Sequence, residues 1–146
     1  MRRPLALLLF LALAAAPAAA AEPPDRETLA EQGEDVPLAE WRALTEGRTV
    51  WYRIGEALWG RERYLPGENS VTFQFPDGEC LEARWFHEPP WYCFDFGEAL
   101  GGGPPHCFRH LRFEGELWAL GLSGGPPQKI ERIDATPLAC GPDPSV

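Results

Sequence analysis

Three histidines, His87, His106 and His110, lie close in sequence to Glu88, Asp95 and Glu98, residue types suited to acid–base work or to holding a transition metal. On a strand, His106, Phe108 and His110 point to one face. A hairpin folding 91–96 against 107–111 about a midpoint near residue 100 sets Phe94 opposite His106, Cys93 opposite Cys107 and Tyr92 opposite Phe108. The product is an aromatic surface of Tyr92, Phe94 and Phe108 with the imidazoles of His106 and His110 at its edges. Such a surface suits a flat ligand. As a metal site it falls short, because residues two strand positions apart stand about 7 Å from each other at the backbone and no third ligand is assigned. No metal and no cofactor is expected.

Other chemistry finds less support. Gly121-Leu122-Ser123-Gly124-Gly125 begins like a nucleophile elbow, but that turn must feed a helix and Pro126-Pro127 bars one. Ser70 falls on the outer face of a strand and Ser145 in the tail. Gly101-Gly102-Gly103 has no following helix to cradle a phosphate and reads as slack in a hairpin. Glu62 and Glu82 can be paired on paper for acid–base catalysis, yet a chain with 22 acidic residues offers many such pairs by chance. No catalytic residue is assigned.

The 146 residues carry 13 Lys+Arg against 22 Asp+Glu, a net charge of −9, with 45% hydrophobic residues, which is one small domain able to bury a core. Met1-Arg2-Arg3, the apolar run from Leu5 to Ala16 and the alanines 18–21 have the layout of a cleavable secretory signal, with an apolar stretch too short for a spanning helix. Cleavage after Ala21 leaves 125 residues at net −11 and no transmembrane segment. The basic residues that remain are scattered arginines and a single lysine, Lys129, so nucleic acid is excluded as a partner, and an anionic membrane surface is disfavoured on the same ground. Export to the periplasm or beyond is the expected localisation.

All four cysteines follow the signal, and an even count in an oxidising compartment reads as two disulfides. Four cysteines allow three pairings. The hairpin register favours Cys93–Cys107, leaving Cys80 to hold the C-terminal tail through Cys140. Pro76-Asp77-Gly78 supports this: as a three-residue turn it sets Phe73 against Leu81 and Val71 against Ala83 on an inner face, so that Cys80 lies on the outer face within reach of a returning tail.

The elements that must position these residues follow from the pattern. Residues 22–34 are acidic and nearly devoid of large apolar side chains, and read as a flexible leader. Residues 37–46 read as a short helix presenting Leu38, Trp41 and Thr45, with Gly47 as its stop and a sheet beneath it. Eight strands follow, at 49–54, 58–65, 71–75, 80–86, 91–96, 106–113, 116–122 and 129–134, separated by turn residues. Short connections make this an antiparallel meander, a small barrel or a sandwich. At the hairpin through Glu114-Gly115, where Leu111 opposes Trp118 and Arg109 opposes Leu120, both faces are apolar and both call for cover. The domain division is therefore a signal at 1–21, a leader at 22–34 and one disulfide-stapled β-domain at 35–146.

The stretch Leu44-Thr45-Glu46-Gly47-Arg48-Thr49-Val50-Trp51-Tyr52, followed by Tyr64-Leu65-Pro66-Gly67, Asp77-Gly78-Glu79-Cys80, Trp91-Tyr92-Cys93-Phe94 and Cys140-Gly141-Pro142, resembles small secreted bacterial β-domain proteins of unknown function that carry four cysteines. The resemblance covers most of the exported domain and implies a compact antiparallel β-fold with structural cysteines. It carries over no functional residue. A looser resemblance, to lipocalin-like barrels, rests on the helix, Gly47 and Trp51.

The expected function is that of a periplasmic or secreted domain acting by binding, with Tyr92, Phe94, His106, Phe108 and His110 facing an unidentified small molecule or envelope partner. One alternative is an envelope protein-interaction or inhibitor module using the loop 101–105. The other is a small enzyme drawing acid–base groups from His106, His110 and Asp95.

Overall fold

The computed structural model describes residues 15–18 and 21–141. The expected signal segment lies, apart from residues 15–18 and 21, outside them. Among the described residues eight antiparallel strands run as a meander: β2 (Thr49–Ile54), β3 (Ala57–Tyr64), β4 (Ser70–Gln74), β5 (Cys80–Glu88), β6 (Trp91–Asp95), β7 (His106–Phe113), β8 (Glu116–Gly121) and β9 (Gln128–Asp134). Because β2 pairs with β9 as well as with β3, the sheet closes into a barrel and leaves no open edge. Closure settles the choice between barrel and sandwich. A short strand β1 (Glu34–Asp35) pairs with Arg112 and Leu111 of β7, beyond the stretch of β7 that pairs with β6.

The hairpin registers read from turn chemistry hold. Phe73 pairs with Leu81 and Val71 with Ala83, Cys93 with Cys107 and Phe94 with His106, and Leu111 with Trp118. Both expected disulfides form, Cys80–Cys140 and Cys93–Cys107. The tail returns along the outer face of β4, where Gln74 donates from Nε2 to the carbonyl of Ala139 at 2.6 Å. No helix among the described residues is long and apolar enough to cross a membrane.

Two helices accompany the barrel where the sequence suggests one. Helix α2 (Leu38–Thr45) caps one barrel end, burying Trp41 and Thr45. Its Trp41 ring meets Tyr64, Tyr92 and His110, the last at 3.8 Å between ring centroids. Pro37 sits at the N-cap rather than within the first turn, and Asp35 belongs to β1. The difference in the leader is larger. Residues 22–34, expected to be flexible, contain helix α1 (Arg26–Gln32), whose N-cap Asp25 accepts a hydrogen bond from the Thr28 amide.

One apolar side chain is enough to fix α1. Leu29 is fully buried against Leu111, Trp118 and Leu120, which form the apolar outer face of β7 and β8. Arg26 anchors the same helix by donating to the carbonyls of Gly121 and Gly125 at 2.7 and 2.9 Å. Arg109 grips both carboxylate oxygens of Asp35 at 2.8 and 2.9 Å. The two apolar faces of the β7–β8 hairpin are thus covered by different partners, one by the barrel interior and the other by α1.

Candidate functional site

Alternation along the strands sends Val50, Tyr52, Val71, Phe73, Trp85, Tyr92, Phe94, Phe108, His110, Ala119 and Ile130 into the barrel. Trp41 fills the end beneath α2. At the other end the interior stays hollow, a cavity of about 190 Å³ walled by Tyr52, Phe73, Phe94 and Phe108. Depth is read along β7: His106 is exposed at the rim, Phe108 is half-buried, and His110 is 1% exposed. At about 3.3 Å per residue the four positions from His106 to His110 span about 13 Å.

The rim is built by irregular backbone. The β2–β3 ladder passes from Tyr52↔Gly60 to Arg53↔Leu58, so Trp59 is the extra residue of a bulge. A bulge re-aims its side chain, and Trp59 lines the mouth at 44% exposure. Opposite it, a turn of 3-10 helix at Gly97–Leu100 presents Leu100, 49% exposed, over the same opening. Gly60 answers a close approach: a Cβ there would stand 2.2 Å from the Phe73 ring. Only glycine leaves room for that ring.

Two polar side chains are set in this apolar interior. Glu62 of β3 is 4% exposed and lines the cavity. Its Oε1 accepts from the hydroxyls of Tyr52 at 3.0 Å and Tyr64 at 2.8 Å, while Oε2 has no hydrogen-bond donor among the described residues. Burial raises the Glu62 carboxyl to about 7, and the two hydroxyls oppose the rise without cancelling it. His110 also lines the cavity, stacked on Tyr92 at 4.4 Å, and its Nδ1 is buried without a partner. Burial first and the neighbouring His87 second lower its pKa to about 3, so the imidazole is neutral over the ordinary pH range.

These two groups set opposite pH dependences. Glu62 is raised from 4.5 to about 7, so its contribution to stability is present below pH 4.5 and lost as pH rises to about 7. His110 is lowered from 6.5 to about 3, so its contribution is present above pH 6.5 and lost as pH falls toward 3. Between pH 4.5 and 6.5 the two slopes cancel. Glu62→Gln removes one of them and keeps an oxygen for the tyrosine hydroxyls. At about 1.4 kcal/mol per pKa unit the variant is expected to match the parent at pH 4 and to exceed it by up to about 3 kcal/mol at pH 8, in urea unfolding at the two pH values. Equal stabilities at pH 8 would contradict a buried carboxyl that resists ionisation.

Of the five residues expected to face a ligand, Phe94, His106, Phe108 and His110 line the cavity. Tyr92 does not. It shares their face but lies at the closed end, fully buried, with its hydroxyl donating to the Val36 carbonyl at 2.7 Å. His110 is likewise deep rather than at an edge, because α2 covers that end of β7. Asp95 points outward and accepts from the Gly97 amide at 2.9 Å, and no histidine bonds a carboxylate among the described residues. Nor do three or more His, Cys, Asp or Glu gather to hold a metal there.

Glu62 is the site residue that sequence reading names only as a chance acid pair with Glu82 and sets aside. Its signal is present: Gly60, Glu62 and Tyr64 share one face of β3, and a face that carries Tyr64 inward carries Glu62 with it. The partner that makes the acid tolerable, Tyr52, comes from the neighbouring strand and needs the register. Comparison with family models, with characterised proteins and with solved structures finds no match, so the cavity's own chemistry is what bears on function.

Proposed function

We propose that this chain is a non-catalytic carrier of a small, largely apolar molecule, acting outside the cytoplasm after export. The observation that supports it most is a hollow aromatic barrel end, open at Trp59 and Leu100 and floored by polar groups with unused hydrogen-bonding capacity. Binding sites of this kind are concave, mostly apolar and oriented by a few polar contacts. A cavity of about 190 Å³ fits one ring with a short substituent. The two disulfides, Cys80–Cys140 and Cys93–Cys107, favour the same setting, since such bonds persist in oxidising compartments. The resemblance to small secreted four-cysteine β-domains agrees with it.

Ala119, buried on the cavity wall, provides the test. One-ring aromatic molecules screened by ligand-observed NMR are expected to bind the parent with Kd on the order of 100 µM, as about nine non-hydrogen atoms allow. Ala119→Phe fills the space and is expected to weaken binding at least tenfold. Equal binding by both proteins would remove the cavity as the site. A protein-interaction role would draw instead on Leu100 and Leu122, 49% and 56% exposed beside the mouth. It predicts a partner whose binding survives Ala119→Phe.

A further inference from the structure

We infer that the molecule this barrel takes is a small organic cation, a one-ring body bearing an ammonium group that seats against Oε2 of Glu62. The inference rests on the carrier reading and names its ligand class. Three observations lead to it. The first is sign: Glu62 lines the cavity, and among the described residues no lysine or arginine does. A carboxylate or phosphate ligand would enter a space with no cation to meet it and an acid at its floor. The second is hydrogen-bond supply. The two tyrosine hydroxyls both go to Oε1, which leaves Oε2 as a free acceptor, and His110 adds a neutral imidazole whose Nδ1 has no partner.

The third is the wall. Tyr52, Phe73, Phe94 and Phe108 line the cavity, and aromatic rings attract a cation most strongly where water is excluded. A neutral ligand leaves that property unused.

Binding then exchanges one positive charge for another. The carboxyl of Glu62 is protonated in the empty barrel below about pH 7; the arriving ammonium pairs with the carboxylate, and the displaced proton leaves to solvent. The groups hydrogen-bonded to Glu62 do not supply a competing charge. From β2 comes Tyr52, from β3 itself Tyr64, and from β7 the histidines His106 and His110 lining the same cavity; Phe73 of β4 is uncharged. Tyr52 and Tyr64 are pushed well above their ordinary value by burial and stay neutral, as His110 does. His106 sits at the exposed rim. Affinity for a cation therefore increases about tenfold with each unit that the pH is raised, up to about 7, and levels off above it.

Calorimetric titration with 2-phenylethylammonium, 2-phenylethanol and 3-phenylpropanoate, run at pH 5.5, 6.5 and 7.5, decides the matter. The ammonium is expected to bind the most tightly of the three, to gain about tenfold from pH 5.5 to 6.5, and to release close to one proton at pH 5.5 when buffers of different ionisation enthalpy are compared. Glu62→Gln is expected to reduce the ratio of ammonium to alcohol affinity at least tenfold. Tyr52→Phe, which removes one donor to Oε1 and leaves the acid in place, is expected to move the pH at which affinity levels off upward, so the test does not depend on one variant folding. If the alcohol or the carboxylate binds at least as tightly as the ammonium, the cation inference is wrong while the carrier stands. If none of the three binds the parent, and Ala119→Phe changes nothing, both fall together.

Discussion

Loss of the Cys80–Cys140 bridge is expected to cost more stability than loss of Cys93–Cys107, about 4 against about 3 kcal/mol, although the first ties down only the end of the chain. The reason lies in the unfolded state. The two bonds close segments with sequence separations of 60 and 14, and the entropy removed from the unfolded chain grows with the logarithm of that length. The Cys80–Cys140 segment runs from β5 to beyond β9, five of the barrel's eight strands. In the native state the tail adds the Gln74 contact to Ala139 and a bond from the Gly141 amide to the Gly78 carbonyl. Urea unfolding of the two paired Cys→Ser variants is the measurement, and the full chain in reductant is expected to lose both contributions and to unfold at moderate temperature. If removing the Cys80–Cys140 bond costs clearly less than removing the hairpin bond, the tail peels away locally and the loop-length argument fails for this fold.

The antiparallel meander is legible because turn chemistry fixes register and register fixes faces, whereas its closure into a barrel rests on the β2–β9 pairing that no local turn dictates. Asp77-Gly78 and Glu114-Gly115 each dictate which residues oppose, and the alternation of Val71, Phe73, Ala83 and Trp85 then leaves one inward set. The disulfides followed from the same arithmetic. What escaped depends on contacts between segments that sequence does not bring together. Helix α1 has too little apolar content to be recognised alone, and it is held by Trp118, Leu111 and the carbonyls after β8, some 80 to 100 residues away. Tyr92, similarly, belongs to the ligand face by parity but to the plug by height, and only the position of α2 decides which.

Glu62 shows the same limit at the site. Set between Arg61 and Arg63 and weighed only as a chance pair with Glu82, Glu62 is set aside by sequence reading, and charged groups are seldom buried without partners. Here its partners are two tyrosines, one from an adjacent strand, and the space it faces exists because α2 fills only one end of the barrel. An interior packed solid would have excluded the acid. Its presence is thus tied to the hollow, which is why the cavity and the carboxyl belong in one functional argument.

That dependence on the plug leads to the second large effect. Trp41→Ala is expected to destabilise the fold by about 3–5 kcal/mol, the range for deleting a fully buried tryptophan. The lost contacts are the aromatic packing against Tyr64, Tyr92 and His110. Trp41→Phe is expected to cost less than about 2 kcal/mol, because a ring is kept and the indole Nε1, buried without a hydrogen-bond partner, leaves no acceptor behind. The pair of variants separates packing from polarity. With alanine the closed end admits water toward His110, whose ring lies 3.8 Å from that of Trp41, so its pKa is expected to climb from about 3 toward the ordinary 6.5. An NMR titration of the His110 ring reads this directly. A large loss of stability with the His110 titration unmoved would mean that α2 braces the barrel without sealing it, and the floor of the cavity would then owe its dryness to the tyrosines alone.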